Sequence, residues 1–150
     1  MTYNKLLTKI KDYFISDVII NQVTRGFLDD VDLSRESIFP MLHIMVNTAT
    51  PLNTTVRFNV SLIAMDIVDI SKEESTDSFR GNDNEIDVLN SMLEVLLRFD
   101  GMMKRGELLD DRYELVGTPE LEPFVERFEN NQAGWTMTFD IDLPNTTTVC

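Results

Sequence analysis

Apolar residues recur at helical spacing in the first part of the chain. Across residues 3–23 they fall three or four positions apart, with lysines and other polar residues between them. Residues at this spacing share one face of an α-helix, so the pattern predicts an amphipathic helix over residues 3–23. We expect Gly26 to stop the helix. The apolar stripe consists of Leu6, Leu7, Ile10, Phe14, Val18 and Ile20.

Two apolar stretches follow an acidic loop at residues 27–37. Residues 38–46 are almost wholly apolar, which is typical of a strand buried on both faces, and Pro40 is expected near its start or on an edge. Residues 47–54 are rich in turn-forming Thr, Asn and Pro. Apolar and polar residues then alternate over residues 55–70, with a change of parity midway that predicts a bulge or twist. Together the two stretches predict a long antiparallel hairpin.

The most polar stretch of the chain precedes its strongest helix signal. The composition of residues 71–84 predicts a mobile loop. Asn82 and Glu85 have the spacing of a capping box, and apolar residues then recur at helical spacing as far as Lys104. Acidic residues in the first turn and Lys104 at the end match the helix macrodipole. This pattern predicts a central helix.

Strand patterns occupy the last third of the chain. Residues 113–116 and 124–128 are predicted to form two short strands, with Pro119 and Pro123 interrupting the chain between them. After a turn at residues 129–134, apolar residues occupy every odd position from Trp135 to Leu143, and polar residues occupy every even position. This alternation predicts a strand with one face on a core and the other toward water or a polar lumen.

The order of elements predicts an α+β fold. Its antiparallel β-sheet contains the long hairpin and is packed by an N-terminal and a central α-helix. The chain has 150 residues, a common size for one domain, and no linker long enough to divide it. We therefore expect a single domain over residues 1–150, with a flexible tail at residues 145–150.

The charge balance restricts the classes of function. The chain has 26 acidic and 13 basic residues and a formal net charge of -13. Binding to nucleic acid phosphates needs a surplus of Lys and Arg, so the charge argues against that function. The single cysteine, Cys150, cannot form an internal disulfide, and the N-terminus lacks an apolar signal core. We expect a protein used in the cytoplasm or in a particle assembled there.

The residue patterns that could support catalysis or metal binding have simpler interpretations. His43 lies inside an apolar strand without recognisable partners, so a structural role is favoured. Residues 30–34 have the oxygen spacing that opens a calcium loop, but Arg35 and Met41 replace the required Gly and Glu. Asp140 and Asp142 could act as paired carboxylates, although a polar strand face is the simpler interpretation. We predict no catalytic site, no cofactor and no metal.

The layout of helix, hairpin, helix and late strand resembles the small neck proteins of tailed bacteriophages, the tail-terminator and tail-completion (head–tail connector) group. The resemblance covers most of the chain, over residues 3–144, and includes one short motif. The motif consists of Gly134-Trp135, the alternating residues Met137, Phe139 and Ile141, and Pro144.

The resemblance implies a structural virion protein that is assembled in the host cytoplasm. Such a protein forms a ring, with six or twelve subunits, between the portal and the tail and contacts both. DNA would pass through without specific binding, since an acidic lumen repels phosphates. The interface candidates are Trp135, Thr136, Thr138, Asp140 and Asp142, together with Phe79 and Arg80 in the polar loop.

Two other functions remain open. The chain could be an acidic adaptor that binds a basic protein partner through its surface. It could also be a small enzyme that uses Asp140 and Asp142. The first alternative predicts a monomer or dimer with salt-sensitive binding, and the second predicts loss of activity when either aspartate is replaced.

Overall fold

The computed structural model describes residues 2–26, 38–68, 85–109, 112–126 and 132–145. Within these residues the chain forms one helix, three strands, a second helix and two further strands. In chain order they are α1 (Thr2–Ile15), β1 (Gln22–Arg25), β2 (Met41–Pro51), β3 (Thr55–Ile67), α2 (Glu85–Lys104), β4 (Glu114–Glu126) and β5 (Gln132–Pro144).

The strands form one sheet in the order β1-β2-β3-β5-β4. The pairs β2–β3, β3–β5 and β5–β4 are antiparallel, whereas β1 pairs with β2 in parallel. The predicted α+β fold, with an N-terminal and a central helix, is confirmed. The sheet is mixed rather than purely antiparallel, because β1 pairs with β2 in parallel. The sequence pattern did not predict this short strand after α1.

The first helix is shorter than its pattern predicted. It ends at Ile15, and an Asp17 carboxylate oxygen then accepts the backbone N–H of Ile19 at 2.9 Å, which turns the chain. The prediction of helix as far as residue 23 is therefore wrong. The β-branched residues in this segment favour extended structure, and residues 22–25 form β1.

The hairpin forms as predicted, with different details. Pro40 immediately precedes β2, which continues to Pro51 through much of the expected turn. The bulge lies in β2, between Val46 and Thr48, and the predicted bulge in β3 is wrong. β3 pairs with β5 without interruption along its whole length. Its change of parity reflects burial on both faces, because Ile63 and Met65 form a second, smaller core with Met41.

The two short strands predicted around the prolines are one long strand, β4. Its register with β5 shifts between Val116 and Glu120, where Gly117 has a positive φ of 68°. Pro119 and Pro123 are tolerated inside this strand because β4 lies at the edge of the sheet, where outward-facing N–H groups need no partner.

The second helix ends as predicted, at Lys104. Gly106 has a positive φ of 77° and donates its N–H to the Met103 carbonyl, while Glu107 donates to the Met102 carbonyl. These two bonds form a Schellman cap, which satisfies carbonyls at the end of the helix. The predicted N-cap Asn82 and the polar loop 71–84 lie outside the described residues.

The main core lies between the helices and one face of the sheet. α1 contributes Leu6, Ile10 and Phe14, each fully buried. Phe99 of α2 stacks at an angle on Phe14, with ring centroids 4.9 Å apart. The sheet contributes alternate residues, which on β3 and β5 are Phe58, Val60, Leu62, Ala64, Met137, Phe139, Ile141 and Leu143.

Candidate functional site

Polar side chains form a continuous surface on part of the sheet face opposite the helices, here called the polar face. The rest of that sheet face holds the smaller apolar core of Met41, Ile63 and Met65. Thr136, Thr138, Asp140 and Asp142 occupy the polar face, because their register positions on β5 alternate with the core residues. The structure therefore brings four of the predicted site residues together on one face. Two others, Phe79 and Arg80, lie outside the described residues.

An ion pair and an amide–carboxylate bond connect β3 to β5 on the polar face. Arg57 donates to both carboxylate oxygens of Asp142, at 2.7 and 3.0 Å. At the next pair of facing residues on the polar face, the Asn59 amide donates to Asp140 at 2.8 Å. Both contacts join residues that face each other directly in the β3–β5 register. Each aspartate is thereby held in a fixed position by a partner on β3.

The hydrogen bonds continue along the polar face toward β2. Ser61 and Thr138 exchange a hydroxyl hydrogen bond at 3.1 Å. The Asn47 amide, at the bulge of β2, donates to Asn59 and to Ser61, both at 2.8 Å. The network therefore spans three neighbouring strands, and it fixes the orientation of side chains that would otherwise be mobile on a sheet surface.

The polar face is strongly acidic. Among the strand residues whose side chains are described, it carries one cation, Arg57, and five carboxylates. The hydrogen bond that Arg57 donates to Asp142 raises the pKa of the Arg57 guanidinium, and the nearby charges of Asp140 and Glu114 act in the same direction. The five carboxylates belong to Glu114, Glu120, Glu122, Asp140 and Asp142.

Trp135 lies on the other side of the sheet from the predicted polar residues. Its indole N–H donates to the Leu89 carbonyl of α2 at 2.8 Å, and its ring is half-buried against the main core. The side chain therefore connects α2 to β5. Trp135 therefore contributes to packing within the chain. Its predicted role as an interface residue stays a prediction.

His43 is buried and bonded through both ring nitrogens. Nδ1 lies 2.7 Å from the Thr24 hydroxyl, and Nε2 lies 2.8 Å from the Gly26 carbonyl. The carbonyl can only accept, so Nε2 carries the proton in this contact and Nδ1 is left to accept from the hydroxyl of Thr24. The ring thereby ties β1 to β2, as the favoured structural role requires.

Two of the carboxylates on the polar face are already bonded within the chain. Asp140 and Asp142 are each bonded to a residue of β3 and lie on a sheet surface. No group of three or more His, Cys, Asp or Glu side chains within the described ranges is placed to hold a metal ion. Neither α1 nor α2, the helices of the described part, is long and apolar enough to cross a membrane.

The sequence patterns did not identify the partners of the predicted aspartates. Arg57, Asn59 and Ser61 alternate with apolar residues, so their common face could be expected from the sequence. Their pairing with Asp142, Asp140 and Thr138 required the register between strands more than 70 residues apart in the chain.

Comparison of the chain with protein-family models and with curated proteins finds no match. A function must therefore be inferred from the residues and their geometry.

Proposed function

We propose that the chain is a structural subunit that forms a ring in the neck of a tailed bacteriophage particle. The ring, of six or twelve copies, would join the portal to the tail and let DNA pass. The protein would be assembled in the host cytoplasm and remain in the virion. This proposal extends the resemblance of the helix, hairpin, helix and Gly134-Trp135 strand to the neck proteins.

The charge of the polar face is the observation that carries the proposal. The polar face carries five carboxylates and one guanidinium, and hydrogen bonds to β3 fix Asp140 and Asp142. A channel lined by this face would repel DNA phosphates, so that DNA could move through it without adhering. The hydrogen bonds from β3 keep the carboxylates of Asp140 and Asp142 in place without a ligand.

The test of this proposal is the assembly state of the purified chain. Light scattering over a range of concentrations, followed by negative-stain microscopy, should reveal rings, either of the chain alone or after addition of portal or tail proteins. A chain that stays monomeric at high concentration, alone and with these partners, would contradict the proposal.

The same acidic face supports a second function, that of an adaptor which binds a basic protein. The formal net charge of -13 favours association with a cationic surface. Titration with polylysine at low and high salt tests this function, because binding through the polar face should weaken as salt increases. A ring that assembles without any cationic partner would favour the first function over the second.

A further inference from the structure

The two edges of the sheet differ in how much backbone they expose. β1 pairs only with Met41 to Ile44 of β2. Within the described residues, the outer edge of β2 from Met45 to Pro51 therefore has no partner strand. The side chains of residues 47–51 are also exposed. An open edge of this kind can template the addition of another strand.

The opposite edge, β4, carries the features that prevent such pairing. Pro119 and Pro123 remove backbone donors, and the irregularity at Gly117 breaks the line of the strand. Three glutamates on the polar face of β4 add like charges. Natural sheets use prolines, bulges and charges to block edges. Over residues 45–51, β2 has two of these features, the bulge at Asn47 and Pro51 at its last position, and it carries no charged residue.

The open edge also lies in the longest uncharged part of the chain. The 20 residues 37–56 contain no Asp, Glu, Lys or Arg, and the next longest such run is residues 130–139. Two copies of a chain with a net charge of -13 repel each other over most of their surfaces. Among the described residues, the edge of β2 is a surface on which two copies can meet closely without that repulsion.

We propose that a second copy of the chain pairs with this edge. Residues 47–51 of the two copies would run antiparallel around a two-fold axis near Ala49, so that the two five-stranded sheets become continuous. Thr48 would then face Thr50 of the partner subunit, a favourable cross-strand pair. Such an isologous contact uses the same surface on both copies.

A notch beside the open edge fits the same arrangement. It has a volume of about 240 Å³ and lies where β1 ends. The bulge between Val46 and Thr48 shifts the register beside the notch, so the partner subunit's strand would pass along the Val46 wall without a fixed residue-to-residue pair there. The notch is lined by Tyr3, Arg25, Gly26, Met45, Val46 and Asn47.

Disulfide crosslinking tests the pairing. Cys150 is the only cysteine, so Cys150→Ser combined with Ala49→Cys gives a chain with one thiol near the axis. Oxidation should convert most of this variant to a covalent dimer, because facing residues in antiparallel strands lie within disulfide reach. The control combines Cys150→Ser with Thr118→Cys in exposed β4, and it should not form a covalent dimer. The proposal would be overturned if only the control formed a covalent dimer, or if neither variant formed one.

A charge at the axis gives an independent measurement. Ala49→Lys places two like charges opposite each other. The dissociation constant of the dimer, measured by sedimentation, should therefore increase roughly tenfold or more. Thr118→Lys makes the same charge change on the other edge and should leave the dimer unaffected. Circular dichroism checks that both variants fold. If Ala49→Lys does not fold, the crosslinking experiment alone tests the pairing of the β2 edges. Equal weakening by both substitutions would contradict the assigned edge.

The inference does not rest on the proposed ring. Two rings stacked face to face would contain this two-fold contact, and so would a free dimer. Loss of rings in microscopy with the crosslink retained would contradict only the proposed function. Rings without the crosslink would contradict only the pairing of β2 edges.

Discussion

At the scale of single residues, Gly134 shows how closely two strands approach. A Cβ atom added there would lie 1.9 Å from the Ala64 carbonyl oxygen, which is backbone and cannot move aside. Gly134→Ala should therefore destabilise the fold by about 2–3 kcal/mol. For a chain of this size, that corresponds to a melting temperature lower by roughly 5–10 °C. Thermal unfolding followed by circular dichroism measures the change.

Gly101 supplies the matched control for this substitution. It lies inside α2, and a Cβ atom there would meet only the flexible end of Arg105 at 3.5 Å. Gly101→Ala should stabilise the protein by about 0.5–1 kcal/mol, because alanine restricts the unfolded chain and favours helix. If the two substitutions changed the stability equally, the close approach to Ala64 would not be the reason that position 134 requires glycine.

Asp66 provides a prediction about pH. Burial raises the pKa of this carboxyl above its ordinary value, although the Ile67 N–H partly offsets the effect. The folded state therefore holds its proton to higher pH than the unfolded state, and stability decreases as pH rises from the ordinary pKa through the raised one. At neutral pH, Asp66→Asn should stabilise the fold by less than about 1 kcal/mol after solvent screening is considered.

Urea unfolding of Asp66→Asn and the parent chain at several pH values checks this sign. The difference between them should vanish at a pH below both pKa values, where the aspartate is protonated in both states. An asparagine variant that is less stable than the parent at neutral pH would contradict the prediction.

At the scale of secondary structure elements, Trp135 connects α2 to β5. Trp135→Phe removes the N–H that donates to Leu89 and part of the packed ring. The substitution should cost roughly 1–2 kcal/mol. Urea unfolding followed by circular dichroism measures it, and an unchanged slope with denaturant would show that only stability has changed. A variant as stable as the parent would mean that this contact contributes little.

Hydrophobic periodicity and proline positions differ in how well they predict secondary structure elements. The helical spacing of the apolar residues correctly predicted α2 to its end at Lys104, because 3.6-residue periodicity is a property of one segment. The prolines in β4 were interpreted as interruptions, although an edge strand accommodates them. A proline's effect depends on whether its N–H side faces another strand, which is decided by the neighbours of that strand.

At the scale of the whole molecule, the acidic polar face should control DNA adhesion. Replacing Glu114, Glu120 and Glu122 with lysine changes the net charge from -13 to -7, because each substitution adds two units. This variant should bind double-stranded DNA in a gel-shift assay at low salt, whereas the parent should not. Binding should disappear as salt is increased.

Three acidic residues on the helices provide a control with the same net charge. Asp12, Asp87 and Glu94 are exposed on α1 and α2, away from the polar face. Their replacement by lysine should produce weaker DNA binding than the change on the sheet, because the new charges are spread over another surface. Equal binding by both variants would mean that net charge alone decides DNA adhesion.

Local sequence patterns were sufficient to predict the hairpin, α2 and β5, and to predict which face of α2 and β5 is buried. Hydrophobic periodicity depends on local backbone geometry, so α2 and the alternation along β5 could be read directly. The tertiary structure decided the partners. Residues 22–25 became a strand because β2 was available beside them, and Arg57 met Asp142 across 85 positions of chain. Such contacts depend on strand order and register, which arise from packing of the whole chain and leave no local periodicity in the sequence.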